Sequence, residues 1–421
     1  MSKKYHDFDL FITKCGDNYI ARVINSPAGE ARHSFALPFS FDDIQGYLEH
    51  FNQTRTILLK KNNRQEKKNL VTDRYFVGKM LYECIFTGDI EDILQRCLAK
   101  VTPKNEGLRL NLRLTEVPEL INLPWEYLYD ESKDYFFALS INTPIVRYLA
   151  LEESIKPAVH QLPLKILIVI ASPSDYPDLH VEKECQNIQS SLHELSQQGH
   201  IKITLLRNVS LADLQNTLSE QDFHIFHFIG HGGFNQENAT GDLIFEDKDG
   251  KGHAVSGKTL AMLLHDVHSL RLAILNACEG AKTSSCNTFS GVGQCLMKQG
   301  MPAVIAMQNE ITDTTAIIFA EKLYTSLVKG YAVDVALVET RKAISAQSNG
   351  VEWGIPVLYM RPGGHNIVDQ TLIEKKQTQI ISTSFAVSTP YINRYAINQT
   401  TAYTFQSMAI TTALRPAREL N

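Results

Sequence analysis

Phe223-His224-Ile225-Phe226-His227-Phe228-Ile229-Gly230-His231-Gly232-Gly233 is an apolar run that stops at a histidine followed by two glycines. Further along, Leu272-Ala273-Ile274-Leu275-Asn276-Ala277-Cys278-Glu279-Gly280 repeats the pattern with a cysteine at the stop. Each reads as a buried strand, because near-continuous apolar runs of this length belong to sheets covered on both faces. Open α/β sheets place their chemistry at the C-terminal ends of such strands. An imidazole and a thiol delivered there make a cysteine nucleophile with its base.

The flanking sequence fits the same sheet. Apolar strands are expected at 164–171, 201–206, 303–307 and 357–360, alternating with amphipathic helices at 178–198, 211–218, 257–264, 289–299, 314–329 and 332–345. Ser210 with Asp213 three residues on marks a helix start. Alternation of this kind predicts an α/β fold with a mostly parallel central sheet. Before it, residues 7 to about 40 alternate around turns at Gly16-Asp17-Asn18 and Ser26-Pro27-Ala28-Gly29, and read as antiparallel strands. A helix is expected over 75–98 and a half-buried strand over 108–114. The expected organisation is a mixed α+β leader domain (1–150), a linker (151–163), the α/β domain (164–362) and a low-charge, Ser/Thr-rich tail (363–421). Between Gln377 and Leu414 the tail's one charged residue is Arg394. It reads as an appended strand pair or extension, with a partner-binding element as the alternative.

The chain has 421 residues and a formal net charge of −5, which argues against nucleic-acid binding by bulk charge. No stretch approaches the roughly 18 apolar residues of a membrane span, and the N-terminus lacks the apolar core of a signal peptide. The cysteines, Cys15, Cys84, Cys97, Cys185, Cys278, Cys286 and Cys295, are odd in number, scattered and without a C-x-x-C pair. That is a reduced, cytoplasmic pattern, neither a disulfide framework nor a zinc knuckle.

A nearby imidazole lowers a thiol pKa or takes its proton during attack. The oxyanion that develops then needs N–H donors. His231 as base, Cys278 as nucleophile and the amides of Gly232 and Cys278 as oxyanion hole therefore fit acyl transfer. His224 and His227, three apart on a strand, point to opposite faces and read as packing residues, with His227 the better placed to orient the pair. Cys286 and Cys295 have no base motif attached. Phe245-Glu246-Asp247-Lys248-Asp249-Gly250 lacks the closing glutamate of an EF-hand and reads as a hairpin turn. No phosphate-cradling loop is present, which disfavours a nucleotide switch.

Asn276-Ala277-Cys278-Glu279-Gly280 resembles the caspase nucleophile signature, with Asn in its first place. More closely, the chain resembles the CHAT family, caspase-like cysteine peptidases of the clan that includes separase, metacaspases and gingipains. The His-Gly-Gly and N-A-C-x-G segments carry the match, with Ser172-Pro173, residues 300–306 and Trp353-Gly354-Ile355-Pro356 in support. The resemblance implies a caspase-like three-layer sandwich and peptide-bond hydrolysis by a His–Cys dyad, with no metal or organic cofactor. It also implies a specific protein substrate, possible activation by a partner or signal, and a place in a bacterial defence or death pathway. Acidic residues line the first pocket of relatives that cut after basic residues, which makes Asp175, Asp178, Glu310 and Asp313 candidates by position, with Asp175 and Asp313 chosen for substrate contact. The alternative from a different class is a non-catalytic caspase-like scaffold.

Overall fold

A computed structural model of the chain describes residues 3–37, 64–149, 160–177, 181–235, 240–277, 288–347 and 352–368. All lie in one compact unit, Met1–Glu374. The tail beyond residue 368 and most of the expected linker lie outside the described residues.

The first part holds β1 (Tyr5–Cys15), β2 (Asn18–Asn25), β3 (Ala31–Phe35), α1 (Arg64–Ile85), α2 (Asp89–Val101), β4 (Gly107–Arg113), the short β5 (Tyr129–Asp130) and β6 (Tyr135–Phe136), and β7 (Ile145–Tyr148). There follow β8 (Leu164–Ile170), α3 (Val181–Gln197), β9 (Ile201–Arg207), α4 (Leu211–Glu220), β10 (Ile225–Gly230), β11 (Gly232–Asn235), β12 (Thr240–Glu246) and β13 (Gly252–Ser256). The order ends with α5 (Gly257–His265), β14 (Leu272–Ala277), α6 (Thr288–Lys298), β15 (Ala303–Met307), α7 (Asp313–Val328), α8 (Val333–Gln347) and β16 (Pro356–Met360).

Eleven strands make one sheet in the order β3-β2-β1-β4-β7-β16-β15-β14-β10-β8-β9. Its central run β15-β14-β10-β8-β9 is parallel. Strict alternation sends Ile166, Ile168, Ile225, Ile274 and Ile305 into one core and Leu167, Val169, Phe226, Phe228, Leu275 and Val304 into the other. The first core is closed by Ile188 and Leu192 of α3, Phe319, Leu323 and Tyr324 of α7, and Leu337 and Ile344 of α8. The second is closed by Leu214 of α4, Leu260 and Leu264 of α5, and Val292 and Leu296 of α6. The expected three-layer α/β sandwich is the observed one.

Of the strands before residue 150, β1 to β4 and β7 share this sheet, while β5 and β6 pair with each other. Tyr359 of β16 pairs with Arg147 of β7 in parallel register, and β7 pairs in turn with β4. At the junction, Arg147 is 2% exposed and Glu126 1%. Their Nη2–Oε2 distance is 2.6 Å, and Arg147 Nη2 also donates to Leu123 O at 3.0 Å. The guanidinium stays charged, its pKa held above the usual value by Glu126 against the cost of burial.

Two local expectations are corrected. The helix read over 75–98 is two helices, parted by Gly88 at φ +55°, a conformation that breaks a right-handed helix. The strand read as half-buried over 108–114 is buried on nearly its whole length. Its polar positions are covered because they are paired: Arg109 Nε donates to Asp334 Oδ2 at 2.6 Å, and Asn111 Nδ2 to Asp9 Oδ1 at 2.7 Å. The start of α4 is as read, with Asp213 N–H donating to Ser210 Oγ at 3.2 Å and Ser210 N–H to Asp213 Oδ2 at 3.0 Å.

Breaking the junction pair from one side leaves a buried, uncompensated guanidinium. Glu126→Ala is therefore expected to cost about 3–5 kcal/mol, read as a fall in the urea midpoint at unchanged slope. A loss below about 1 kcal/mol would show that the pair contributes no more than a surface one.

Candidate active site

β8, β10, β14 and β15 run in the same direction, so their C-terminal ends share one sheet edge. His231 follows β10 directly and is fully buried. Its backbone is fixed because Ile244 N–H donates to His231 O at 3.0 Å. In the β10–β14 ladder Gly230 pairs with Ala277. Those two residues immediately precede His231 and Cys278 in the chain. Cys278 itself lies outside the described residues, as does Cys286.

His231 Nε2 lies 2.9 Å from Pro177 O. A carbonyl oxygen only accepts, so Nε2 carries the hydrogen, and Nδ1 holds the lone pair of the neutral ring. The loop 171–177 that supplies this carbonyl is tied to the turn between β12 and β13. Ser174 N–H donates to Gly250 O at 2.9 Å, Gly252 N–H to Asp175 Oδ1 at 2.7 Å, and Ser172 N–H to Glu246 Oε1 at 2.9 Å. A Cβ at Gly252 would lie 2.3 Å from the Tyr176 ring, so only glycine lets that ring settle there. The same ring packs against His231 with centroids 5.1 Å apart.

Gly232 faces Leu243 across the β11–β12 ladder. The bond from Ile244 N–H to His231 O flanks this pair and makes it a non-hydrogen-bonded one. The Gly232 N–H therefore points away from β12.

Asp175 acts as the clamp between its loop and β13, through the Gly252 amide. Asp313 stands in the first turn of α7, after the N-cap Thr312 and on the connection from β15. Asp247, of the calcium-like stretch, accepts the N–H groups of Asp249 and Lys251 at 2.8 and 2.9 Å as a turn residue. Among the described residues no group of three or more His, Cys, Asp or Glu could hold a metal ion, and no helix is long and apolar enough to cross a membrane.

Three features of the site escaped sequence reading. The Pro177 carbonyl has no residue signature, and neither Tyr176 nor the loop–hairpin clamp follows from spacing. His227, read as a packing residue and the better placed of the two to orient the pair, has its Nδ1 2.9 Å from the Tyr324 hydroxyl of α7. Of the other cysteines, Cys84 has its thiol pushed up to about 11 by burial, and burial also raises Cys295. Neither environment suits a nucleophile.

These features define an α/β sandwich with a histidine poised at the C-terminal edge of its parallel strands. The CHAT domain family model matches residues 79–389, and the chain belongs to that family. The match begins well inside the region read as a leader. No curated protein matches the chain in sequence. Among solved structures it is similar to a chain of the Saccharomyces cerevisiae separase–securin complex, at 12% identity and TM-score 0.45, over 85% of this chain and 30% of that one. It is similar to the Arg-specific cysteine proteinase gingipain R of Porphyromonas gingivalis, at 11% identity and TM-score 0.43, over 65% of this chain and 68% of that one. It is also similar to the Drosophila initiator caspase Dronc, at 12% identity and TM-score 0.30, over 50% of this chain and 87% of that one. This chain thus spans less than a third of the separase-complex chain.

Burial also sets a pH dependence of stability. It pushes His227 from 6.5 down to about 3, and His224 down to about 4, with His160 stacked on the latter's ring at 3.8 Å. Unfolding lets both take protons below about 6.5 that the folded chain refuses. Stability is therefore full above pH 6.5 and lost as pH falls toward the folded values. The urea midpoint should drop from pH 7 to pH 4, and less so in a His224→Gln/His227→Gln variant. Equal slopes in the two proteins would contradict the assignment.

Proposed function

We propose that the chain is a cysteine endopeptidase in which Cys278 is the nucleophile and His231 the general base and acid. The observation that carries this reading is the β10–β14 register, which ends two adjacent parallel strands at the residues before His231 and Cys278. Family membership supports it.

With Nε2–H held by Pro177 O, Nδ1 takes the Cys278 thiol proton as sulfur attacks the substrate carbonyl carbon. The carbonyl electrons move to oxygen, and the amides of Gly232 and Cys278 stabilise that oxyanion. Collapse breaks the C–N bond, and the protonated ring gives its proton to the leaving amine. In the second half-reaction a water loses its proton to Nδ1 and attacks the thioester, releasing the carboxylate and the thiol. The chemistry draws on no metal or organic cofactor. The substrate is a specific protein, cleaved in the cytoplasm under the control of a partner or signal, with Asp175 and Asp313 near the substrate. The family resemblance supports the protein substrate, its control and a role in bacterial defence or death, and the scattered cysteines without a C-x-x-C pair support the cytoplasm.

The test is cleavage of a diverse peptide library by the purified chain. Wild type is expected to cleave slowly by itself, because a partner or signal controls its full activity. Cys278→Ala should lose activity completely, and His231→Ala should lose about 10²–10⁴-fold in rate. Cleavage by Cys278→Ala as fast as by wild type would overturn the assignment.

A further inference from the structure

β14 has a second end. Immediately before it, Arg271 is 3% exposed, and its backbone N–H donates to His224 O at 2.8 Å. The guanidinium Nε and Nη2 meet no hydrogen-bond partner among the described residues. Burial alone lowers the pKa of this group, and no carboxylate offsets it. A buried guanidinium without an anion is costly, and native chains pair such groups.

Arg271 lines a cavity of about 420 Å³ between the ends of α5 and α6 and the starts of β14 and β15. His265, His268, Gln299 and Gly300 line it as well. His265 Nδ1–H is held by Gln299 O at 2.7 Å, which fixes the ring in the wall. The point a Cβ of Gly300 would occupy lies 3.9 Å from that Nδ1 and 4.0 Å from Arg361 Nη1, so a second guanidinium approaches the same wall. Asp266, the adjacent acid in sequence, does not line the cavity. Apolar lining comes from Leu264, Leu296 and Met301. The size is that of a small-molecule pocket, and the buried Arg271 in its lining is a fork suited to an oxyanion.

We infer that this cavity is a binding site for a small molecule bearing a phosphate or carboxylate group, with Arg271 as its anchor. The site is separate from the dyad. β14 spans Leu272–Ala277, which puts the cavity about 20 Å from the strand end where Gly230 and Ala277 pair. An anion here satisfies the guanidinium that the fold leaves unpaired, and binding should stabilise the folded chain.

The experiment is thermal unfolding of the full chain with inorganic phosphate, pyrophosphate or citrate, each against sodium chloride of equal ionic strength. At least one anion is expected to raise Tm where chloride does not. A response to pyrophosphate or phosphate marks a phosphate ligand, and a response to citrate a carboxylate. Arg271→Gln should abolish that rise while raising the anion-free Tm, because it removes an unpaired buried charge. Arg271→Lys keeps the charge but loses the fork, and should weaken binding about tenfold or more. The same shift in Cys278→Ala would separate this site from the dyad. No rise with any anion overturns the inference, as does an undiminished rise in Arg271→Gln. If Arg271→Gln shows no cooperative transition, an undiminished rise in Arg271→Lys does the same.

Discussion

The parallel ladder between β10 and β14 is the constraint on which the rest depends. Its register, from Ile225 with Leu272 to Gly230 with Ala277, ends both strands at the same edge. A slip by one residue would turn every side chain of the strand to the other face. The two cores prevent it, because Ile225, Ile229 and Ile274 fill one and Phe226, Phe228 and Leu275 the other. Packing on both faces thus fixes where the chain delivers its histidine. The second set of interactions acts on the ring itself: the loop 171–177, clamped to the β12–β13 turn through Asp175 and Ser174, presents the Pro177 carbonyl to Nε2. Fold and tautomer are set by different parts of the molecule.

The sheet continues past this centre through a polar junction. β7 bears a buried Arg147 that meets Glu126 and the Leu123 carbonyl, while Arg109, Asn111, Asp9 and Asp334 are joined below it. Arg147, Arg109, Asn111 and Asp9 lie on strands, and Glu126 and Asp334 reach them from a 3-10 turn and from α8. Their burial is possible because each finds a charged or amide partner. Arg271 stands apart from that rule, and its cavity is the physical reason to place an anion there.

Much of this was legible in the sequence. Apolar runs of five to eight residues mark the central strands, since covered parallel strands have no polar face to show. Ser210 and Asp213 announced α4 through the local chemistry of a cap. What escaped notice depended on partners distant in sequence. Strict alternation over 108–114 reads as half exposure until Asp334 and Asp9 are known to reach Arg109 and Asn111. The union of β7 with β16 joins residues some two hundred positions apart, and two paired residues leave no periodic trace. In the site, His231 and the Gly232 amide were readable as types in a pattern. Pro177 O and the Tyr176 ring were not, because a backbone carbonyl has no residue identity and Tyr176 is placed by a clamp on Gly252. Gly88 leaves no mark in the pattern because the apolar positions on either side keep helical spacing across it.

The central claim is that Cys278 and His231 form one chemical unit. The direct measurement is the rate of iodoacetamide alkylation at Cys278 against pH, read by mass spectrometry in wild type and His231→Ala, with Cys84 and Cys295 as internal references. The account predicts a Cys278 thiolate that persists below the ordinary thiol range in wild type and reverts upward in His231→Ala, while both references stay slow. A Cys278 profile identical in the two proteins would contradict it.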